Sequence, residues 1–347
     1  MSLKNTYKNY GLLGLLLVSL SLFLIPHSYV ELIYGKGIFS IIRLIISPLV
    51  WLPFPLIYFL TLGVVIMVLR LFFIRRPLLS KIKRLAIGLS TFILLFYWLW
   101  AYNYRRIDFD SRYPLIPTAA LDSTSLLEEL QSATDEMLLS RPLNPSTVYR
   151  AAQLEDMIRP YVKDATQQFG YRSAGLVRVK ELLPAGILLR IKTAGFYLPY
   201  VGEAYIDAGL HPLQKPFTMA HEMSHGFGVT DEGACNFLAY LATFHHPDSS
   251  IRYSAAMGYY RYVAGEYRWR YPNHYSELRA ALPATIQHDL DDINRQMLKY
   301  PDIFPKVRDQ IYNKYLTVQG VKEGLASYDK IIDYVRQSRA QGLLDTH

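Results

Sequence analysis

The sequence predicts three membrane-spanning helices followed by an α+β soluble domain, mainly helical, with a small sheet just ahead of the functional helix. Three observations predict this. Long apolar runs fill the first third of the 347-residue chain, and its basic residues concentrate in the same third. Beyond it, helical periodicity is interrupted once, between residues 173 and 212, by short apolar stretches bounded by Gly and Pro.

The runs place spans at about 10–32, 44–72 and 85–103, each near the ~20 residues that cross a ~30 Å hydrocarbon layer. The first is almost unbroken from Gly11 to Ile25 and continues toward Ile33 past Pro26 and His27. Lys4 and Lys8 precede it as in a signal peptide, but no small-x-small cleavage site follows, so it reads as an uncleaved anchor. The formal charge is +8, yet residues 1–106 hold twelve Lys or Arg against one acid, Glu31, while the remainder holds 25 basic and 28 acidic residues. The basic surplus therefore flanks the spans and forms no nucleic-acid-binding face; the expected partner is the lipid bilayer. RLFFIRRPLLSKIKR, between spans two and three, carries six basic residues, whereas Lys36 and Arg43 are the two between spans one and two. This asymmetry puts the N-terminus in the cytoplasm and residues beyond span three outside it. Trp98, Trp100, Tyr102 and Tyr104 suit an interfacial belt at the end of span three.

A membrane region over 1–106 thus gives way to a linker at 107–120, IDFDSRYPLIPTAA, and a soluble domain over 121–347, ample for its own core. Helices are expected near 122–140 and 145–169, the second started by Asn144 and Pro145. LVRV, GILLRI and GEAYID read as strands. Helices then follow near 214–226, 231–245, 250–269, 284–299, 303–317 and 325–340. Cys235 is the one cysteine, so no intrachain disulfide framework exists.

The chemistry lies in TMAHEMSHGFGVTDEGACNFLAYLA, residues 218–242. His221-Glu222-Met223-Ser224-His225 is H-E-x-x-H. On a helix, residues four apart share a face, so both imidazoles can ligate one metal with Glu222 beside its water. Gly226 and Gly228 allow a sharp turn after the second histidine. Glu232 opens the next helix with Asn236 one turn on, giving a third ligand and an amide that orients a ligand histidine. Asp231 is the alternative third ligand, because it stands where H-E-x-x-H-x-x-G-x-x-H sites place theirs and Gly228 matches their glycine; His245 and His246 are more distant options. GEAYID can offer an edge to an extended peptide. Cys235 reads as a small packed residue. No single one of the 28 tyrosines can be singled out as an oxyanion donor. The aromatic stretch AAMGYYRYVAGEYRWRY reads as a helix packed on the functional helices.

From GFYLPYVGEAYIDAGLHPLQKPF through that motif, and again at RYSAAMGYYRYV and YNKYLTVQGVKEGLASYDKIIDYV, the chain resembles an uncharacterised family of bacterial membrane proteins abundant in Bacteroidetes. Its members look like three spans followed by a zincin-type domain. The family segment reads like H-E-x-x-H-x-x-G followed by Glu-x-Glu-Ala-Asn-Phe-Leu-Ala. His221, Glu222, His225, Gly228, Glu232 and Asn236 match it, whereas Gly233, Ala234 and Cys235 depart. The second glutamate of that pattern is lost at Ala234, but the first, Glu232, parallels the metal ligand of gluzincins. The resemblance implies a bacterial cytoplasmic-membrane, multi-pass protein with a peptidase-like fold and no particular substrate.

Together these readings lead to the expectation of a membrane-anchored zinc metallopeptidase of gluzincin type acting on a peptide or protein. His221, His225 and Glu232 would hold Zn2+, Glu222 would serve as general base, and Asn236 would support the ligands. The competing expectation is a non-catalytic anchored scaffold or sensor whose metal site is structural; Glu222 separates the two, because a scaffold does not need it.

Overall fold

The computed structural model describes residues 24–112, 120–143, 145, 148–303 and 330–344. Residues 10–23 of the first expected span, nearly all of the helix expected at 303–317, and the start of that expected at 325–340 lie outside them.

The described N-terminal segment winds through α1 (His27–Val30), a π-helical stretch (Glu31–Ile38) and α2 (Phe39–Ile46). Among the described residues, two helices are long and apolar enough to cross a membrane: α3 (Leu56–Phe73) and α4 (Leu78–Leu99). The second expected span therefore begins at Leu56, not near 44. Pro48, Pro53 and Pro55 interrupt the apolar run, each removing a backbone donor, and Leu52, before Pro53, is extended (φ −58°, ψ 138°). Residues 44–46 belong to α2, and Leu49–Trp51 form a 3₁₀ turn. The helix at the third expected span starts seven residues before the expected 85 and stops at Leu99, where Trp100 leaves the helical region (φ −150°, ψ −55°).

The segment before α3 is fastened to the domain by buried charge. Arg106 donates from Nε and Nη2 to the two carboxylate oxygens of Glu31, each at 2.8 Å, and from Nη1 to Asn103 Oδ1 at 3.1 Å. Arg112 pairs with the same carboxylate, and both guanidinium groups stack over the Tyr171 ring. Within the expected linker, α5 (Phe109–Arg112) is folded, with Phe109 buried and stacked on Phe169; residues 113–119 lie outside the described set.

Beyond residue 120 the described residues are mostly helical: α6 (Ser123–Ser140), α7 (Ala151–Gln168), α8 (Lys215–Gly226), α9 (Glu232–Phe244), α10 (Ser249–Arg270), α11 (Pro272–Ala281), α12 (Ala284–Leu298) and α13 (Lys330–Ala340). α7 begins at Ala151 after Arg150, so Pro145 lies ahead of the helix and not in its first turn. α11 was not expected, although Pro272 in its first turn is a start signal. α6, α8 and α9 pack around α10 in one apolar core. Tyr253, Tyr259 and Tyr240 reach through that core to Asp289, Glu129 and Glu136, so their hydroxyls are satisfied.

Three strands form a mixed sheet in the order β1 (Arg178–Leu182), β3 (Glu203–Asp207), β2 (Gly195–Leu198). β1 runs parallel and β2 antiparallel to β3. GILLRI is not a strand; it ends in a 3₁₀ turn at Leu189–Ile191, drawn in by Asp207, whose carboxylate accepts from the Gly186, Leu188 and Leu189 amides. GEAYID forms the central strand, so it cannot offer an edge; β1 and β2 hold the two edges.

Candidate metal centre

α8 carries His221 and His225 one turn apart, and α9 folds back so that Glu232, its first residue, meets them. The connection depends on Gly228 (φ +92°), a conformation that side-chain-bearing residues rarely adopt. Its turn brings the Val229 carbonyl back to accept from His225 Nδ1 at 2.9 Å. A Cβ at Gly228 would lie 2.7 Å from Arg106 Nη1 and 2.9 Å from Phe39, so the turn is packed directly beneath the N-terminal segment.

Asn236, one turn into α9, accepts from His221 Nδ1 at 2.7 Å. With both Nδ1 atoms committed, each ring turns its Nε2 toward the other histidine and Glu232, the atom whose lone pair a metal would take. The two Nε2 atoms stand 3.2 Å apart, and Glu232 Oε2 lies 3.2 Å from that of His221 and 3.4 Å from that of His225. Two ligands at 2.0–2.1 Å from a tetrahedral zinc ion stand about 3.3–3.4 Å apart. The triangle therefore fits such an ion, and His221, His225 and Glu232 form a group that can hold a metal.

The field inside the triangle favours positive charge. Burial opposes protonation of His225, yet Cys235 and Glu232 outweigh it and hold the ring well above its usual range. Burial likewise opposes ionisation of Glu232, but the two histidines keep its carboxyl below the ordinary carboxylate range. Glu222, on the same helix, behaves differently. Burial pushes it up to about 7 against the pull of both histidines, and its Oε2 has no hydrogen-bond partner among the described residues. It is a carboxylate with an unused acceptor, held close to neutral pH.

β2 lies against this carboxylate. A Cβ at Gly195 would meet Glu222 Cγ at 2.7 Å and Oε1 at 2.8 Å, so only glycine leaves the side chain its place. Two residues on, and therefore on the same face of the strand, Tyr197 packs against Trp100 (ring centroids 5.0 Å), which meets the His225 ring edge-on at 6.1 Å. The Tyr197 hydroxyl accepts from Arg43 Nη1 at 2.8 Å. Gly195, Tyr197, Trp100 and Arg43 were not identified from the sequence as parts of the site; only the sheet order and the return of the N-terminal segment bring them there.

The other options for ligands stand elsewhere. Asp231 is the N-cap of α9, its Oδ1 accepting from the Ala234 amide at 2.6 Å, and it lies outside the ligand group. His246 accepts from the Asp248 amide and sits by the Met157 carbonyl, while His245 packs on Phe244. Cys235 is fully buried with Sγ 3.3 Å from His225 Nδ1, on the side of the ring facing away from the triangle. Its thiol is pushed up to about 12 by burial.

Residues 34–336 match the family described as "Protein of unknown function (DUF3810)", and the chain belongs to that family. No curated protein and no solved structure matches the chain.

Proposed function

We propose that this family member is a membrane-anchored zinc metallopeptidase of gluzincin type, its soluble domain outside the cytoplasm, that hydrolyses peptide bonds. The observation that carries the reading is the triangle of His221, His225 and Glu232 at tetrahedral spacing, with the buried Glu222 carboxylate beside it, whose Oε2 has no hydrogen-bond partner among the described residues. A structural metal site needs the triangle alone; Glu222 is surplus to it.

The residues divide the chemistry. His221, His225 and Glu232 would hold a zinc ion, which would supply Lewis acidity toward the carbonyl and the attacking water. Glu222 accepts the proton of the attacking water and returns it to the amine that leaves; a carboxyl group near pKa 7 performs both transfers at neutral pH. Asn236 and the Val229 carbonyl fix the imidazole tautomers, so neither ring turns away during the reaction. The outer side of β2 offers main-chain hydrogen bonds to an extended substrate, aligning it past Glu222. Trp100 and Tyr197 wall the site beside His225 and limit water there.

Peptide hydrolysis by the purified protein tests the reading. Activity lost to a chelator and restored by stoichiometric zinc is the expected result. A protein that binds zinc yet cuts no peptide in a broad library would leave only the scaffold.

A further inference from the structure

From Gly37 to Leu69 the sequence contains one charged residue, Arg43, and that residue is buried. Its guanidinium donates to the Gly202 carbonyl at 3.0 Å, the Leu176 carbonyl at 2.5 Å and the Tyr197 hydroxyl at 2.8 Å, pinning α2 to the sheet beside the metal centre. Phe39, Ser40 and Ile46 face inward with it. The outward face is wholly apolar: Ile41, Leu44 and Ile45 are exposed, Ile45 at 69%, and the following turn exposes Leu49 and Trp51, the latter at 71%. An amphipathic helix with its only charge on the inner side is the reverse of a water-facing surface helix.

This face is continuous with α3 and α4. Glu203 of β3 accepts from the Leu56 amide at 2.9 Å and Tyr205 from the Ile57 amide at 3.0 Å, so α3 starts on the sheet itself. Tyr58 and Leu183 exchange hydrogen bonds, and Leu183 is 64% exposed beside the start of α3. At the other helix, Tyr200 in the β2–β3 turn stacks on Phe92 at 4.0 Å and donates to its carbonyl. Phe92 lies seven residues before the end of α4, so the turn reaches roughly 10 Å down an apolar helix. The interfacial layer is only some 5–8 Å deep on each side of the hydrocarbon. One residue past that helix, Trp100 touches His225.

We propose that the outer face of α2 and the turn after it lie in the lipid interface beside α3 and α4, seating the metal centre at the bilayer surface. The substrate class that follows is the membrane-proximal stretch of a membrane-anchored polypeptide. The lipid seat stands on the surface alone, whereas the substrate class rests on the peptidase reading. α2 is then an interfacial helix lying along the membrane and not part of a span. Binding through it scales with buried apolar area, and the fixed seat presents β2 to chains emerging from the bilayer.

The test uses the full chain in vesicles of phosphatidylethanolamine and phosphatidylglycerol, with and without brominated acyl chains. Ile45→Cys and Trp51→Cys carry an environment-sensitive thiol fluorophore; Leu139→Cys and Leu298→Cys, strongly exposed on α6 and α12, serve as references. Cys235 is fully buried and stays unlabelled. Bromolipid should quench positions 45 and 51 at least twofold and leave 139 and 298 unchanged; equal behaviour at all four overturns the lipid seat. In the same vesicles, a peptide fused to a spanning anchor should be cut faster when its scissile bond lies about five residues from the anchor, roughly 17 Å of extended chain, than when a spacer of about twenty residues intervenes. The opposite order overturns the substrate class. If neither peptide is cut while positions 45 and 51 are quenched, the peptidase reading fails and the substrate class with it, and the lipid seat stands.

Discussion

His221 and Asn236 are joined side chain to side chain, Nδ1 to Oδ1, at 2.7 Å across the two helices of the metal centre. The bond fixes which nitrogen of the ring keeps its lone pair, and it points Nε2 at Glu232. Asn236→Ala removes the acceptor and leaves a buried N–H unsatisfied. Supporting partners of this kind are worth 10–100-fold in metal affinity, so chelator competition should show zinc held that much more weakly, with the circular dichroism spectrum unchanged. Parental affinity would mean that the ring is oriented by packing alone.

Gly195 gives a way to disturb Glu222 without touching a ligand. A methyl group there meets the Tyr205 carbonyl at 2.5 Å and Glu222 Cγ at 2.7 Å, so the carboxylate must move. Displacing a reacting group by about 1 Å can cost 10²-fold. Gly195→Ala should therefore lower peptide hydrolysis by about that factor while zinc stoichiometry stays at one per chain. Unchanged kcat would show that Glu222 has room this geometry denies it.

The part of this site that is local in sequence was legible in the sequence. His221, Glu222 and His225 share a helix face by periodicity, and Glu232 and Asn236 begin the next helix, so a five-residue turn is all that joins them. Asp231 was ambiguous because one acidic residue can cap a helix or bind a metal; the Ala234 amide resolves it as the cap. The elements that depend on distant pairing were not legible. GEAYID alternates whether it is central or at an edge, and only its neighbours Val179 and Tyr197, in register with Ala204 from either side, decide. Apolar residues at 44–51 read as the start of the second span, and only the burial of Arg43 against Gly202 and Leu176 ties the segment before them to the sheet.

The pairing of Glu31 with Arg112 crosses the expected boundary of the membrane region at residue 106, and Arg106 joins the same buried cluster. Removing one partner of a buried ionic cluster costs about 3–5 kcal/mol. Glu31→Gln should lower the thermal midpoint by several degrees, and a fragment starting at residue 107 should fail to fold. A stable, monodisperse fragment would show the N-terminal segment to be dispensable.

α3 starts on the sheet and α4 ends beside His225, so crossings by these two helices would start and finish on one side of a membrane. Arg75 and Arg76, between the helices, then lie on the other. Reporter fusions at residue 76 should read cytoplasmic and fusions after residue 112 extracytoplasmic. The reverse pattern would place the domain that holds His221 and His225 in the cytosol.

The central claim is that Glu222 is a base and not a structural carboxylate, and Glu222→Gln measures it most directly. Glutamine keeps the size of the side chain and leaves His221, His225 and Glu232 in place, so zinc content and thermal stability should match the parent. Peptide hydrolysis should fall by about 10²–10⁴-fold, the usual contribution of a general base. A Glu222→Gln protein that retains one zinc and cuts peptide at the parental rate would contradict the account.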